Sequence, residues 1–218
     1  YVAGCEINDN PFAPICKACR EKIEESGDSV AIAWLPREER YAEKLATPDI
    51  AVADLIGEID PIRVAEGRYL SDELTIHFGL IPRTNRGIFS INELPDLAER
   101  IQVSLFNLME EKDVQIKGYR VRLPLDLYLI ASANPEDYTN RGRIITPLKD
   151  RYGAQIRTHY PQYAEDEMRI MEQEMTSFPD LVDRVVVPQY MKEIIAEITT
   201  LARRSGDINQ RSGVSVRV

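Results

Sequence analysis

Three short segments carry residues with catalytic potential, two of them after apolar runs and the third on a short connection before the strand-like Ala154-Gln155-Ile156. Glu93 closes Gly87-Ile-Phe-Ser-Ile-Asn92-Glu93, Asn134 stands in Ser132-Ala133-Asn134-Pro135, and Arg151 in Leu148-Lys149-Asp150-Arg151-Tyr152-Gly153. A carboxylate can orient water, an amide can hydrogen-bond a phosphoryl oxygen or the attacking water, and an arginine supplies permanent positive charge. Hydrolysis of a nucleoside triphosphate uses these three groups. Each also has a plainer reading. Glu93 could be a carboxylate favoured at a helix N-terminus, Asn134 the start of an Asn-Pro turn, and Arg151 half of a surface ion pair with Asp150 or Glu165. No Gly-x-x-x-x-Gly-Lys-Ser/Thr occurs in the sequence, so a phosphate-cradling loop of that kind is missing. The chain therefore reads as a fragment with both ends cut, from Tyr1 to the strand-like Val214-Ser215-Val216-Arg217-Val218.

The elements that must position these residues follow from hydrophobic spacing. Ile88 to Ile91 reads as a short buried strand, which would hold Glu93 at the carboxyl edge of a sheet, where open α/β sheets bind ligands. Leu97, Ile101, Leu105 and Leu108 share one face of a helix over Pro95 to Glu111, with Pro95 in its first turn. Val114 to Leu123 alternates around Lys117-Gly118 as a β-hairpin, and Leu125 to Ala131 is a further strand leading to Asn134. Strands are also expected at Val30 to Leu35 and at Ala154 to Thr158. Beyond these, Ala164, Met168, Met171 and Met175 share a helical face, read as core packing. Tyr190, Ile194, Ile198 and Leu201 share another, in a helix opened near Pro188 and ended by Ser205-Gly206.

The organisation expected is a Cys-containing, loop-rich insertion over residues 1–28, an α/β core over 29–160 and a helical segment over 161–218. With 27 basic and 36 acidic residues the net charge is −9, which argues against gripping nucleic acid through its phosphates as the main task. No apolar run approaches the ~18 residues that span a bilayer. The three cysteines all fall within the first 19 residues; an odd number fits a reducing cytosol better than a disulfide framework, and a cytoplasmic location is expected. Cys16-x-x-Cys19 with Cys5 upstream could give three zinc thiolates, the fourth ligand coming from upstream or from a carboxylate. Ordinary reduced thiols are the other reading.

Taken in order, these segments resemble a AAA+ ATPase of the group formed by the magnesium-chelatase ATPase subunit and MoxR-like proteins. The resemblance covers roughly Val52 to Val218. It makes Asn92-Glu93 the end of the Walker B strand, Asn134 the sensor-1 residue, Arg151 the arginine finger and Arg217 a candidate for sensor 2. Ala65 to Ile81 resembles the family's helix-2 insertion, and Val114 to Leu123 its pre-sensor-1 hairpin. What the resemblance implies is a partial αβα AAA+ nucleotide-binding core with a parallel sheet, followed by the start of an α-helical lid. ATP and Mg2+ are the implied cofactors, with Asn92, Glu93, Asn134 and Arg217 around them. A homo-oligomeric ring, a hexamer, and a von Willebrand A-domain partner are the implied assembly, working in metal insertion or protein remodelling. The sequence departs from the family pattern at Asn92, where an aspartate is expected. An amide can hydrogen-bond magnesium-bound water but lacks the charge that compensates the cation. A noncatalytic regulatory module is thus the rival reading, and a nucleic-acid motor using Lys112, Lys117, Arg120 and Arg122 a third.

Overall fold

The computed structural model describes residues 1–67, 69, 72–116, 119–134, 142–175 and 186–206, and the chain divides into two compact units, Tyr1–Ala154 and Gln155–Val218. The expectations at Lys117-Gly118 and Arg217 lie outside the described residues. In the first unit, helix α1 (Lys17–Ser26) opens on the Cys16 side chain, which accepts the Cys19 N–H, and stops at Gly27 with φ 52°. Strand β1 (Tyr41–Leu45) is followed by α2 (Val52–Leu55), β2 (Gly57–Ile59), α3 (Pro61–Ala65), β3 (Ile76–Phe78) and α4 (Leu80–Arg83). Then come β4 (Ile88–Asn92), α5 (Glu99–Glu110), the hairpin β5 (Asp113–Ile116) and β6 (Tyr119–Arg122), β7 (Tyr128–Ala131) and α6 (Thr146–Lys149). The second unit contains α7 (Ala164–Met175) and α8 (Gln189–Arg204). Among the described residues no helix is long and apolar enough to cross a membrane.

The sheet that matters is β1-β4-β7, parallel throughout, with Tyr41 beside Ile88 and Ile88 beside Tyr128. Period-two alternation sends Phe89 and Ile91 of the central strand into one core with Ile101, Leu105 and Leu108 of α5. Its other face is open: Tyr41, Ile88 and Tyr128, which form one row, are 49%, 40% and 67% exposed. Parallel sheets are normally covered on both faces. A parallel sheet with one face packed against α5 and the other partly exposed makes this the partial αβα core that was expected.

Two expectations need correction. The apolar run Val30 to Leu35 is not a sheet strand; it makes a single bridge, Val2 with Ile32, and Trp34 is exposed. The sheet's first strand is instead Tyr41–Leu45, whose mixed polarity suits an edge with one face in solvent. Residues 154–158 form no strand, and Ile156 is exposed. The cysteine-containing residues 1–28 run through turns as far as Pro14 and then form α1. On α8 the face carrying Tyr190, Ile194, Ile198 and Leu201 is exposed, while Ala196 and Thr199 are buried. An ion pair takes the inward place: Arg203 donates to both carboxylate oxygens of Glu167 at 2.8 and 3.0 Å, and stacks over Tyr160.

Candidate functional site

At the carboxyl edge of the sheet the ladders run one residue past each strand. Ser132 donates its N–H to the Ile91 carbonyl at 2.9 Å, and Ala46 donates its own to the Asn92 carbonyl at 2.8 Å. The chain then turns sharply. Glu93 sits in the left-handed region at φ 57°, ψ 49°, and a short 3-10 turn, Leu94–Asp96, follows before α5. A residue with a Cβ pays about 1–2 kcal/mol there, so such a position persists only where its neighbours over-determine it. Here they do: Leu94 donates its N–H to the Ser132 carbonyl at 2.9 Å, and Asp96 donates to the Glu93 carbonyl at 2.9 Å.

The Ser132 hydroxyl ties the two strand ends together. It accepts the Glu93 N–H at 3.2 Å and donates to the Asn92 side-chain oxygen at 3.5 Å. Asn92 and Glu93 are half-buried, whereas Asn134 is exposed two residues beyond Ser132. The residue that holds the end of β4 to the end of β7 is thus a serine that sequence reasoning gave no role. The signal available in sequence was its place directly after an apolar strand. At the same edge the turn after β1 carries Asp49, whose carboxyl is held below its ordinary value by a hydrogen bond from the Thr47 hydroxyl.

Arg151 belongs to another surface. Its guanidinium pairs with Glu110 at 2.8 Å, rather than with Asp150 or Glu165, and lies over Phe106 at 5.7 Å. Both partners are in the second half of α5, whereas Glu93 precedes the start of that helix. Twelve residues of helix separate the ends by about 18 Å, so Arg151 does not complete the site of its own chain. Its approach is set by a buried residue that sequence reasoning missed. Gln102, 1% exposed, donates to the carbonyls of Leu97 and Arg143 and accepts the Ile145 N–H at 2.9 Å. These bonds clamp the segment leading into α6 onto α5. Tyr152, beside Arg151, has a buried hydroxyl with no hydrogen-bond partner among the described residues, and burial pushes its pKa up to about 12.

The cysteines form a separate cluster. One ligand atom from each of Cys5, Asp9, Cys16 and Cys19 lies within 4.8 Å of the others. The Cys5 and Cys16 sulfurs are 4.0 Å apart. A hydrogen bond from the Cys16 thiol holds Cys5 down to about 6, and desolvation pushes Cys19 up to about 12.

No family model and no curated protein matches this sequence. Solved structures of similar shape include a protein from Cytophaga hutchinsonii assigned as an ATPase, 18% identical over 75% of this chain and 52% of that one, with a TM-score of 0.42. Another is the BchI and BchD complex of magnesium chelatase, 21% identical over 74% and 48%, TM-score 0.44. A third is NtrX from Brucella abortus, 14% identical over 78% and 42%, TM-score 0.46. The chain spans about half the length of these structures. Likeness at these TM-scores decides neither activity nor assembly.

Proposed function

We propose that this chain carries the Walker B half of a AAA+ ATPase, resembling the magnesium-chelatase and MoxR-like group, and that the full protein couples ATP hydrolysis to metal insertion or protein remodelling. The observation that supports the reading is the Ser132 hydroxyl, which bonds the Asn92 side chain and the Glu93 backbone N–H and so holds the end of β4 against the end of β7 at the carboxyl edge of the sheet. Bound magnesium ATP would supply the phosphoanhydride and the charge that polarises it. The residues present fit the water side of such a site: Glu93 is placed to accept a hydrogen bond from a water, and the Asn92 amide oxygen to accept one from a metal-bound water. Asn134 adds an amide at the end of β7. Arg217 has the charge for a phosphate contact, but lies outside the described residues. Arg151, turned away from its own Glu93, suits a neighbouring subunit's site, which supports a homo-oligomeric ring, a hexamer in the resembled group. A von Willebrand A-domain partner belongs to the same proposal.

The test is magnesium-dependent ATP hydrolysis by the full-length protein beside its Glu93→Gln variant. Turnover in the parent that falls at least ~100-fold in the variant is the expected result. Nucleotide binding without turnover in either protein would overturn the catalytic reading. It would favour a noncatalytic regulatory module, the reading that Asn92 supports. Restored turnover in Asn92→Asp would then identify the missing charge as the cause.

A further inference from the structure

We propose that Cys5, Cys16, Cys19 and Asp9 form a tetrahedral site for a zinc-class divalent cation. Three sulfurs and one carboxylate oxygen are the donor set that favours zinc over magnesium or calcium, which take oxygen ligands. The geometry is close to the need. A tetrahedral ion with sulfurs at about 2.3 Å sets them about 3.8 Å apart, against 4.0 Å between the Cys5 and Cys16 sulfurs and at most 4.8 Å across the cluster. Small side-chain rotations close that gap. A disulfide needs a far shorter approach, about 2.05 Å, and all three cysteines are free.

The surroundings are built for a fixed set of ligands. Cys16, Cys19 and Asp9 are buried, and Cys5 is half-buried. Asp9 is locked by three backbone donors: Asn10 bonds one carboxylate oxygen, Cys16 the other, and Ile15 both. These four bonds take up a carboxylate's about four acceptor positions, so an ion would replace one branch of the shared Ile15 bond, and such outer hydrogen bonds orient metal-binding carboxylates elsewhere. Cys16 is the N-cap of α1 and Cys19 lies in its first turn, so the start of one helix fixes the spacing of two of the sulfurs. On binding, thiol protons leave to solvent and the sulfurs take the cation in their place.

The site would act as a structural staple under the strand that ends at Glu93. Between Cys5 and Asp9, the Ile7 carbonyl accepts the Asn85 side-chain amide at 2.9 Å, and the Asn8 side chain donates to the Arg83 carbonyl at 2.8 Å. Asn85 in turn accepts the Asp126 N–H at 2.9 Å. The cysteine loop thereby holds the segments entering β4 and β7. Lys17 with Asp72 and Arg20 with Glu73 fasten its other side.

The experiment is a titration of the reduced, chelator-stripped full chain with zinc chloride, following thiol reactivity, and with cobalt chloride, following absorption. One equivalent of zinc should protect all three thiols reversibly, and cobalt should give the spectrum of a tetrahedral thiolate complex. Cys16→Ser and Cys19→Ser should each weaken binding by at least ~10-fold, and Asp9→Asn by about 10-fold or more. Thiols that react at the same rate with and without zinc would overturn the site, and this readout needs no variant to fold. Protection that survives Asp9→Asn unchanged would overturn the assignment of the fourth ligand.

Discussion

Replacing Glu93 by glycine should give a more stable protein than replacing it by alanine, the reverse of the usual order. Both substitutions delete the carboxylate, so their difference isolates the backbone. At φ 57°, ψ 49° the alanine retains a left-handed penalty of about 1–2 kcal/mol that glycine escapes. Glycine loses about 0.5–1 kcal/mol through its extra freedom in the unfolded chain. The balance favours glycine by about 0.5–1 kcal/mol, or about 1–4 °C in Tm for a chain of this size. Urea unfolding of the two variants measures it, with Ser104→Gly and Ser104→Ala inside α5 as the control, where alanine should win by about 0.5–1 kcal/mol. Equal stability, or an advantage for Glu93→Ala, would refute the claim that hydrogen bonds from Leu94 and Asp96 hold a strained turn there. Glu93→Gln keeps both the backbone and its strain. Its stability should therefore match the parent, and any loss of ATP hydrolysis in that variant would be chemical in origin.

The buried pair in the second unit should show strong non-additivity. Glu167 and Arg203 side chains are 3% and 10% exposed, so Glu167→Leu alone should cost about 3–5 kcal/mol by stranding the guanidinium. Adding Arg203→Met should recover most of that, and hydrogen exchange in α7 and α8 would report it; additive losses would argue that the pair is not coupled. Tyr152→Phe should raise stability by about 1–2 kcal/mol, because the buried hydroxyl finds no partner among the described residues. Denaturant unfolding with no gain would show that the hydroxyl is satisfied.

Much of the frame was readable from local pattern. Ile88 to Ile91 announces β4 because a short apolar run between turn residues has few alternatives, and Leu97, Ile101, Leu105 and Leu108 mark α5 by their 3.6-residue period. The strand at Tyr41–Leu45 was hidden for a physical reason. Only one of its faces is shielded, so Tyr-Ala-Glu-Lys-Leu has no apolar run to betray it, while the more apolar Val30 to Leu35 has a strand's composition and no sheet to join. Periodicity likewise found the stripe on α8, but a stripe does not state which side faces the core. The Glu167 and Arg203 pair settled that side in the fold.

For the site the division is similar. The order Glu93, Asn134, Arg151 and the cluster of three cysteines are properties of the sequence, because residue type and spacing carry them. That Ser132 ties the end of β7 to Asn92 and Glu93, that Arg151 sits at the far end of α5 from Glu93, and that Asp9 joins the three sulfurs are decisions of the tertiary structure. They depend on strand register, on which helix end a side chain reaches and on how a loop reverses, and these are set by long-range packing that no local pattern encodes.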